Sequence, residues 1–318
     1  MIRFRQVGFR IVNMLPILVI VSVLAFLLGA MTPGDPIEAQ YASRFTAEQM
    51  AEMRATYGLD RPLWVQYFVW LKNLVVDGGG ISLTLGTRVF DILGPNFVNT
   101  LTLTAASVVV CVVSGTAIGM IAGIYHGTWI DRIVMLFAQI GSNLSVYWFG
   151  LVLISVFALR LGWLPVGGME SRGGGGFGDL LLHLVMPAIS AALISMLVLA
   201  RFVRVGVIRE SAADYFRTFR SQGIGSRKLF GKHVFRNILP SVANITGLEI
   251  GTLITGVFFV EIVFNWPGIG TQLVNAVNGK DYPVIQGGIV LVAACYLVVN
   301  LVTDIVVDAL NPRLRSAS

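Results

Sequence analysis

The stretch DYFRTFRSQGIGSRKLFGKHVFRNILP, from Asp214 to Pro240, is basic and punctuated by glycine, yet it lies between two long apolar runs. The runs Leu180–Ala200 and Leu239–Phe259 each approach the length of about 20 residues that crosses a bilayer as one helix. The 318-residue chain is 55% hydrophobic and 13% charged, whereas soluble domains carry about 25% charged residues. The stretch is therefore predicted to be a polar loop between two membrane helices.

Six apolar runs are predicted to span the membrane, which makes the chain an all-α integral membrane protein. They are Ile11–Gly34, a run within Thr100–Tyr125, a run within Ile133–Leu159, Leu180–Ala200, Leu239–Phe259 and Val284–Val302. The first follows MIRFRQVGFR, which resembles the start of a signal peptide. That first run is too long for a signal peptide and no A-x-A cleavage site follows, so we predict a retained span. Six spans place both termini on one side.

Lysine and arginine are unevenly divided between the two sides. Fifteen of the 23 lie on the side of the termini, and nine of those fall between Arg201 and Arg236. Of the eight on the other side, five belong to the long first loop, which has little influence on orientation. Because cytoplasmic loops are enriched in basic residues, the termini are predicted to be cytoplasmic. This bias accounts for the net charge of +6, and no basic patch with interleaved aromatics indicates nucleic-acid binding.

The basic loop is predicted to form a helix, a glycine turn and a second helix. Ile208, Ala212, Tyr215 and Phe219 recur at helical spacing and predict one apolar face. Gly223 suits the left-handed residue that ends such a helix.

The second helix is predicted to begin at the N-cap Ser226, and Pro240 is predicted to open the next span. Arg227 and Lys228 fall in its first turn, where cations oppose the helix dipole by a few tenths of a kcal/mol each. Two explanations for these cations stay open. One is that they set the membrane orientation, and the other is that they contact an acidic partner or lipid headgroups. The residues predicted to face inward are Leu229, Phe230 and Val234.

Two long loops are predicted on the external side. In the first, Thr46 is a suitable N-cap and Gly58 a suitable stop for the helix FTAEQMAEMRATYG. The aromatics that follow are Trp64, Tyr67, Phe68 and Trp70. They suit either a helix in the membrane interface or the small core of the loop itself. The second loop contains GGMESRGGGGFGD, whose glycines predict a flexible surface segment.

Chemical motifs are absent, and intramembrane charges are few. The nearest approach to an ATP-binding P-loop, GSRKLFGKH, has its glycines one residue too far apart and ends in His233 instead of Ser or Thr. Three scattered histidines give no zinc pattern, and no nucleophile elbow occurs, so no catalytic, cofactor-binding or metal residue is predicted. Glu249 and Glu261 lie within the fifth span or at its outer end. Each either lines a solute pathway or is hydrogen-bonded within the bundle.

The loop residues resemble those of the inner-membrane permeases of ABC importers, in the dipeptide/oligopeptide/nickel family. That family reads roughly D-Y-[IV]-R-T-A-[RK]-A-K-G and then R-N-x-L-x-P, and this chain has DYFRTFRSQG and RNILP. Phe219 replaces a small residue and Gln222 a lysine. The resemblance extends to YGLDRPLWVQYFVWLKNL (57–74) and VEIVFNWPGIGTQLVNAVNGKDYPVIQG (260–287). VVDGGGISLTLG departs from the usual G-D-[LF]-G-x-S, and Asn311 replaces an aspartate. The large first loop resembles that of the B-type subunit.

The resemblance implies a type I ABC importer permease fold and a permease subunit in the bacterial inner membrane. The implied partners are a second, paralogous permease, two cytosolic ATPase subunits, a periplasmic solute-binding protein and membrane lipid. ATP and Mg²⁺ would be bound by the ATPase subunits and no cofactor by this chain. The implied cargo is a di- or oligopeptide or a similar small solute. The residues implied to couple to the ATPase are Asp214, Tyr215, Arg217, Thr218, Phe219, Arg220, Gln222 and Gly223, with Tyr215 and Phe219 as anchors.

The predicted organisation follows from these spans. Residues 1–34 form the cytoplasmic start and first span, and 35–99 a periplasmic loop domain. Residues 100–312 form a five-helix core that carries the coupling loop at 201–238, and 313–318 form a cytoplasmic tail. The alternative function is that of a secondary transporter or channel that needs no ATPase.

Overall fold

The computed structural model describes residues 4–31, 46, 48–49, 60–171 and 173–310. The described part is helical, apart from one antiparallel bridge between Ile81 and Arg88. The chain divides into two compact units, one of Arg3–Asn99 with Pro267–Val298 and one of Thr100–Trp266 with Val299–Ser318. This grouping joins 267–298 to the N-terminal part, whereas the predicted organisation assigns it to the core.

The first unit begins with α1, Phe4–Ala30, and α2, Leu63–Val76. The aromatics of α2 divide between a side that packs on α1 and an exposed side, and a position in the membrane interface stays a prediction. Tyr67 and Trp70 lie against Phe26 of α1, with ring centroids 5.6 and 5.8 Å away, while Trp64 and Phe68 are exposed. The predicted N-cap Thr46 accepts from the backbone N–H of Gln49 at 3.4 Å. Of that predicted helix, only residues 46, 48 and 49 are described, and Gly58 lies outside the described residues, as does Asn311.

The glycine-rich segment 77–88 of this unit is held by a buried carboxylate. Asp281 accepts hydrogen bonds from the Ser82 hydroxyl at 2.5 Å and from the backbone N–H groups of Leu83 and Thr84 at 3.2 Å. The Thr84 hydroxyl also donates to Asp281. Asp281 lies between α9, Ile269–Asn278, and α10, Tyr282–Leu310. Asp281 belongs to the stretch 260–287, which matches the family pattern. It thereby holds the segment VVDGGGISLTLG, which departs from that pattern.

The second unit contains most of α3, Val89–Ile124, and the long helices α6, Gly176–Ala212, and α8, Ser226–Val263. A glycine stripe on α3 brings it close to α6. A Cβ added at Gly119 would lie 2.5 Å from the backbone oxygen of Ala200, and one at Gly123 would lie 2.6 Å from Val207. The close helix neighbour of this stripe, which consists of Gly115, Gly119 and Gly123, is therefore α6 of the same chain.

The third predicted span is not one straight helix. It consists of α4, Trp129–Gly141, and α5, Val146–Arg160, which meet at a bend of 111°. Between them, the Asn143 side chain donates to the carbonyl of Gln139 at 2.7 Å and the Ser142 hydroxyl does so at 3.2 Å. Such side-chain bonds to the backbone compete with a continuing helix. The described residues thus hold five straight candidate spans, or six if the bent pair is one.

Four predicted boundaries differ from those of the helices in the structure. The second span belongs to a helix that begins at Val89, since Pro95 is accommodated inside it. The fourth belongs to a helix that continues to Ala212, beyond the apolar run. Pro240 lies inside α8 and does not open it, because the preceding π-helical segment Leu229–Val234 continues directly into the span. The N-cap of α8 is Gly225 and not Ser226.

Candidate functional site

The basic loop contains a short helix, α7, Asp214–Ser221, set between α6 and α8. Ala213 separates it from α6 with an extended backbone, φ −69° and ψ 150°. Asp214 lies in the first turn of α7, where a negative charge interacts favourably with the helix dipole. Arg220 lies in the last turn, where a positive charge interacts favourably with it. The break at Ala213 turns the chain so that α7 is a separate element and not the continuation of α6.

The end of α7 confirms the cap predicted at Gly223. Gly223 has φ +78°, its N–H donates to the carbonyl of Arg220, and the N–H of Ile224 donates to that of Phe219, both at 3.1 Å. These two bonds are those of a Schellman motif, which needs a left-handed residue that glycine provides without strain. The turn is therefore fixed by backbone geometry.

The buried side of α7 matches the predicted one only in part, since Tyr215 and Phe219 pack against the core and Ala212 does not. Because the chain breaks at Ala213, the face through Ile208, Ala212, Tyr215 and Phe219 is interrupted, and Ala212 is exposed. The side chain buried most deeply in α7 is Phe216, 7% exposed. Its ring lies 5.3 Å from that of Phe230 of α8, in a cluster that includes Leu229 and Val234. The three residues predicted to face inward from the second helix thus do so.

Tyr215 joins all three helices of the loop. Its hydroxyl donates to Glu210 of α6 at 2.7 Å, and Asn237 of α8 donates to both Glu210 at 2.9 Å and the Tyr215 oxygen at 3.2 Å. Burial, and then the hydrogen bond to Glu210, raise the pKa of Tyr215 above its ordinary value of 10.0. The hydroxyl therefore stays protonated at physiological pH and remains a donor.

Phe219 extends this packed side. Its ring lies 6.0 Å from that of Tyr215 in an edge-on arrangement and 4.8 Å from the imidazole of His233. Both aromatics predicted as anchors are half-buried against their own chain. Their predicted contact with a partner stays a prediction, and the contacts observed here hold α7 in place.

The outward side of α7 is polar. Among the described residues, neither Arg217 nor Arg220 forms a salt bridge. This leaves two guanidinium groups on the exposed surface of the loop. The predicted coupling residues that are exposed are Asp214, Arg217, Thr218, Arg220, Gln222 and Gly223.

A second polar contact, which sequence reasoning missed, anchors the same end of α6. Arg204 donates to both carboxylate oxygens of Asp131 of α4, from Nε at 2.6 Å and from Nη2 at 2.8 Å. Asp131, 3% exposed, also accepts from the backbone N–H of Gly127 at 3.1 Å. The sequence signal was the carboxylate of Asp131 in the first turn of α4. Arg204 was counted only among the basic residues that indicate membrane orientation.

The two intramembrane carboxylates differ in their surroundings. Glu261 is fully buried and accepts from the Thr100 hydroxyl at 2.6 Å, which favours its structural interpretation. Glu249 is half-buried, and the residues one turn to either side, Ile245 and Leu253, pack in the cluster that holds Phe216. The alternative that Glu249 lines the solute pathway stays a prediction.

Comparison with known proteins gives a consistent result along the chain. Residues 115–316 match the family described as the binding-protein-dependent transport system inner membrane component, and residues 1–110 match the N-terminal family of such membrane components. The glutathione transport system permease protein GsiC of Escherichia coli K12 is 36% identical over 306 residues, which cover 96% of this chain and 97% of that protein. GsiC of Shigella flexneri serotype 5b gives the same values. The inward-facing structure of the MetNI methionine ABC transporter matches with a TM-score of 0.56 at 18% identity, over 69% of this chain and 96% of that one.

Proposed function

Because the chain belongs to the family of inner-membrane components of binding-protein-dependent transport systems, it is a permease subunit of an ABC importer, and we propose that residues 213–225 are the surface through which its ATPase drives it. The observation that supports this proposal is α7 itself. It is a Schellman-capped helix with two exposed, unpaired arginines outside and an aromatic packing side inside. Family membership disfavours the alternative of a carrier without an ATPase.

The proposed coupling passes through packing contacts. A force on α7 reaches α6 through Tyr215 and Glu210, and reaches α8 through Asn237 and the pair Phe216–Phe230. A ligand that binds one conformation better than the other shifts their populations by that difference in affinity. ATP binding by the partner subunits needs to supply only a few kcal/mol of such bias.

The proposed assembly has a second permease, two ATPase subunits and an external solute-binding protein, as the family resemblance implies. This chain has no P-loop, so ATP and Mg²⁺ would be held by the ATPase subunits. The proposed cargo is peptide-like, because relatives matched over nearly the whole chain carry the name of glutathione permeases. Transport assays with glutathione, dipeptides and tripeptides, each competed against the others, would identify it.

The docking proposal is tested by reversing the charge on the outer side of α7. We expect Arg217→Glu combined with Arg220→Glu to lose co-purification of the ATPase subunits and solute-dependent ATP hydrolysis. Arg132→Glu is the matched control, since it reverses an exposed cation near the start of α4. Co-purification that is unchanged in the double variant, or lost equally in the control, would contradict the proposal.

A further inference from the structure

One exposed face of α8 is polar although the helix is a membrane span. The residues at spacings of three and four along this face are Ser241, Asn244, Leu248, Thr252 and Thr255, and all are exposed. They form one stripe, because such spacings return to the same side of a helix. Four of the five carry a hydroxyl or an amide.

The helix α3 of the same unit provides the contrast. Its exposed residues also follow spacings of four, and they are Leu101, Ala105, Val109, Val113, Ala117 and Ile121. None of these side chains carries a polar atom. Such a stripe is suited to lipid, because hydrocarbon offers no hydrogen-bonding partner.

The polar groups of the α8 stripe are largely unsatisfied by the chain. Thr255 donates weakly to the carbonyl of Gly251, at 3.3 Å. Among the described residues, the side chains of Ser241, Asn244 and Thr252 have no hydrogen-bonding partner. An amide or hydroxyl that faces hydrocarbon without a partner costs about 1–3 kcal/mol by protein-based measures. A face with three such groups is therefore unsuited to lipid.

The cytoplasmic end of the stripe opens into a groove between α8 and α6. Its cavity has a volume of about 220 Å³ and is lined by Ser241 and Asn244 on one side and by Leu199 and Val203 on the other. Arg209 lies in the same lining, and it is exposed. The stripe thus continues into an opening near the coupling loop whose other lining residues are mostly apolar.

We propose that the Ser241–Thr255 stripe of α8 lines the water-filled path of the solute. This proposal deepens the proposed function and rests on it, since it assigns the pathway of the same importer to particular side chains. The stripe itself carries no charge, because Glu249 follows Leu248 by one residue and so lies roughly 100° around the helix. Neutral hydroxyl and amide groups hydrogen-bond peptide groups without discriminating between charged side chains. The expected solute class is therefore peptides of varied side-chain charge.

The test is cysteine accessibility in the assembled transporter in membrane vesicles. Cys111 and Cys295 are first replaced by alanine, and single cysteines are placed at Asn244 and Thr252. A thiolate forms readily in water and poorly in hydrocarbon, so we expect a membrane-impermeant cationic thiol reagent to modify these sites about tenfold faster than lipid-facing ones. Solute should slow this modification, and modification should block transport.

Val109→Cys and Val113→Cys are the matched controls, since they lie on the apolar stripe of α3. They should react with a lipid-soluble maleimide and not with the cationic reagent. If the α8 cysteines behave as these controls do, the face meets lipid and the proposal is overturned. If they react with neither reagent, the face is packed against a partner subunit, which overturns it equally. ATPase co-purification in the same preparations reports separately on the docking proposal.

Discussion

We expect the hydroxyl of Tyr215 to fix the orientation of α7. Tyr215→Phe removes that hydroxyl and retains the ring that lies 6.0 Å from Phe219. Two contacts are lost, the donation to Glu210 at 2.7 Å and the acceptance from Asn237 at 3.2 Å. Asn237 keeps its own bond to Glu210 at 2.9 Å, so α6 and α8 remain joined while α7 loses its polar attachment.

The size of the effect follows from the strongest of these bonds. A hydrogen bond to a charged acceptor contributes about 1.5–3 kcal/mol, and the lower end applies to a half-buried tyrosine. A free-energy loss of about 1.5 kcal/mol raises the population in which α7 is locally open by about tenfold. Backbone amides of 214–224 should therefore exchange hydrogen for deuterium about tenfold faster, measured by mass spectrometry on the assembled transporter.

The control is Tyr125→Phe, which removes an exposed hydroxyl near the cytoplasmic end of α3. Exchange in 214–224 should be unchanged in that variant. The reasoning is refuted if Tyr215→Phe leaves exchange within twofold of the native rate, or if it accelerates exchange equally throughout α3 and α6. The first result would mean that aromatic packing alone holds α7, and the second that the substitution destabilises the whole unit.

Three other substitutions test the surrounding structure. Gly119→Ala should lower the unfolding temperature, because overpacking against α6 costs about 1–3 kcal/mol; Gly94→Ala, with open space around its Cβ, should not. Asp281→Asn should expose the segment 77–88 to limited proteolysis, since four hydrogen bonds are weakened. Gly223→Val, at φ +78°, should abolish solute transport while the unfolding temperature is retained, and transport at the native rate would exclude the turn from coupling.

The sequence predicted the elements whose cause is local. Five of the six predicted apolar runs became part of one helix, and the third became two helices that meet at a bend. Gly223 became the cap because few other residues tolerate its backbone angles. The spacing of the glycine stripe of α3 indicates a close helix neighbour, although not which helix it is. These features depend on residues near to each other in the chain.

The remaining features depend on residues that meet only after folding. Phe216, not the predicted Ala212, faces the core, because the break at Ala213 shifts the buried side by part of a turn. The partners Asp131 and Arg204 are 73 positions apart, and Ser82 and Asp281 are 199 apart. Helical periodicity carries no information about such pairs. The polar stripe on α8 was not predicted, because the sequence does not say which side of an apolar helix is exposed in the folded chain.

The length of α6 has a mechanical consequence. Its 37 residues run without a break from the external loop to the coupling loop, which makes a rod about 55 Å long. A tilt of about 10° displaces the two ends of such a rod by about 10 Å relative to each other. Under the proposed coupling, a small rotation at α7 would therefore become a large displacement at the far end, without breaking the backbone hydrogen bonds along the rod. In that case α6 would act as a lever that turns on the glycine stripe of α3.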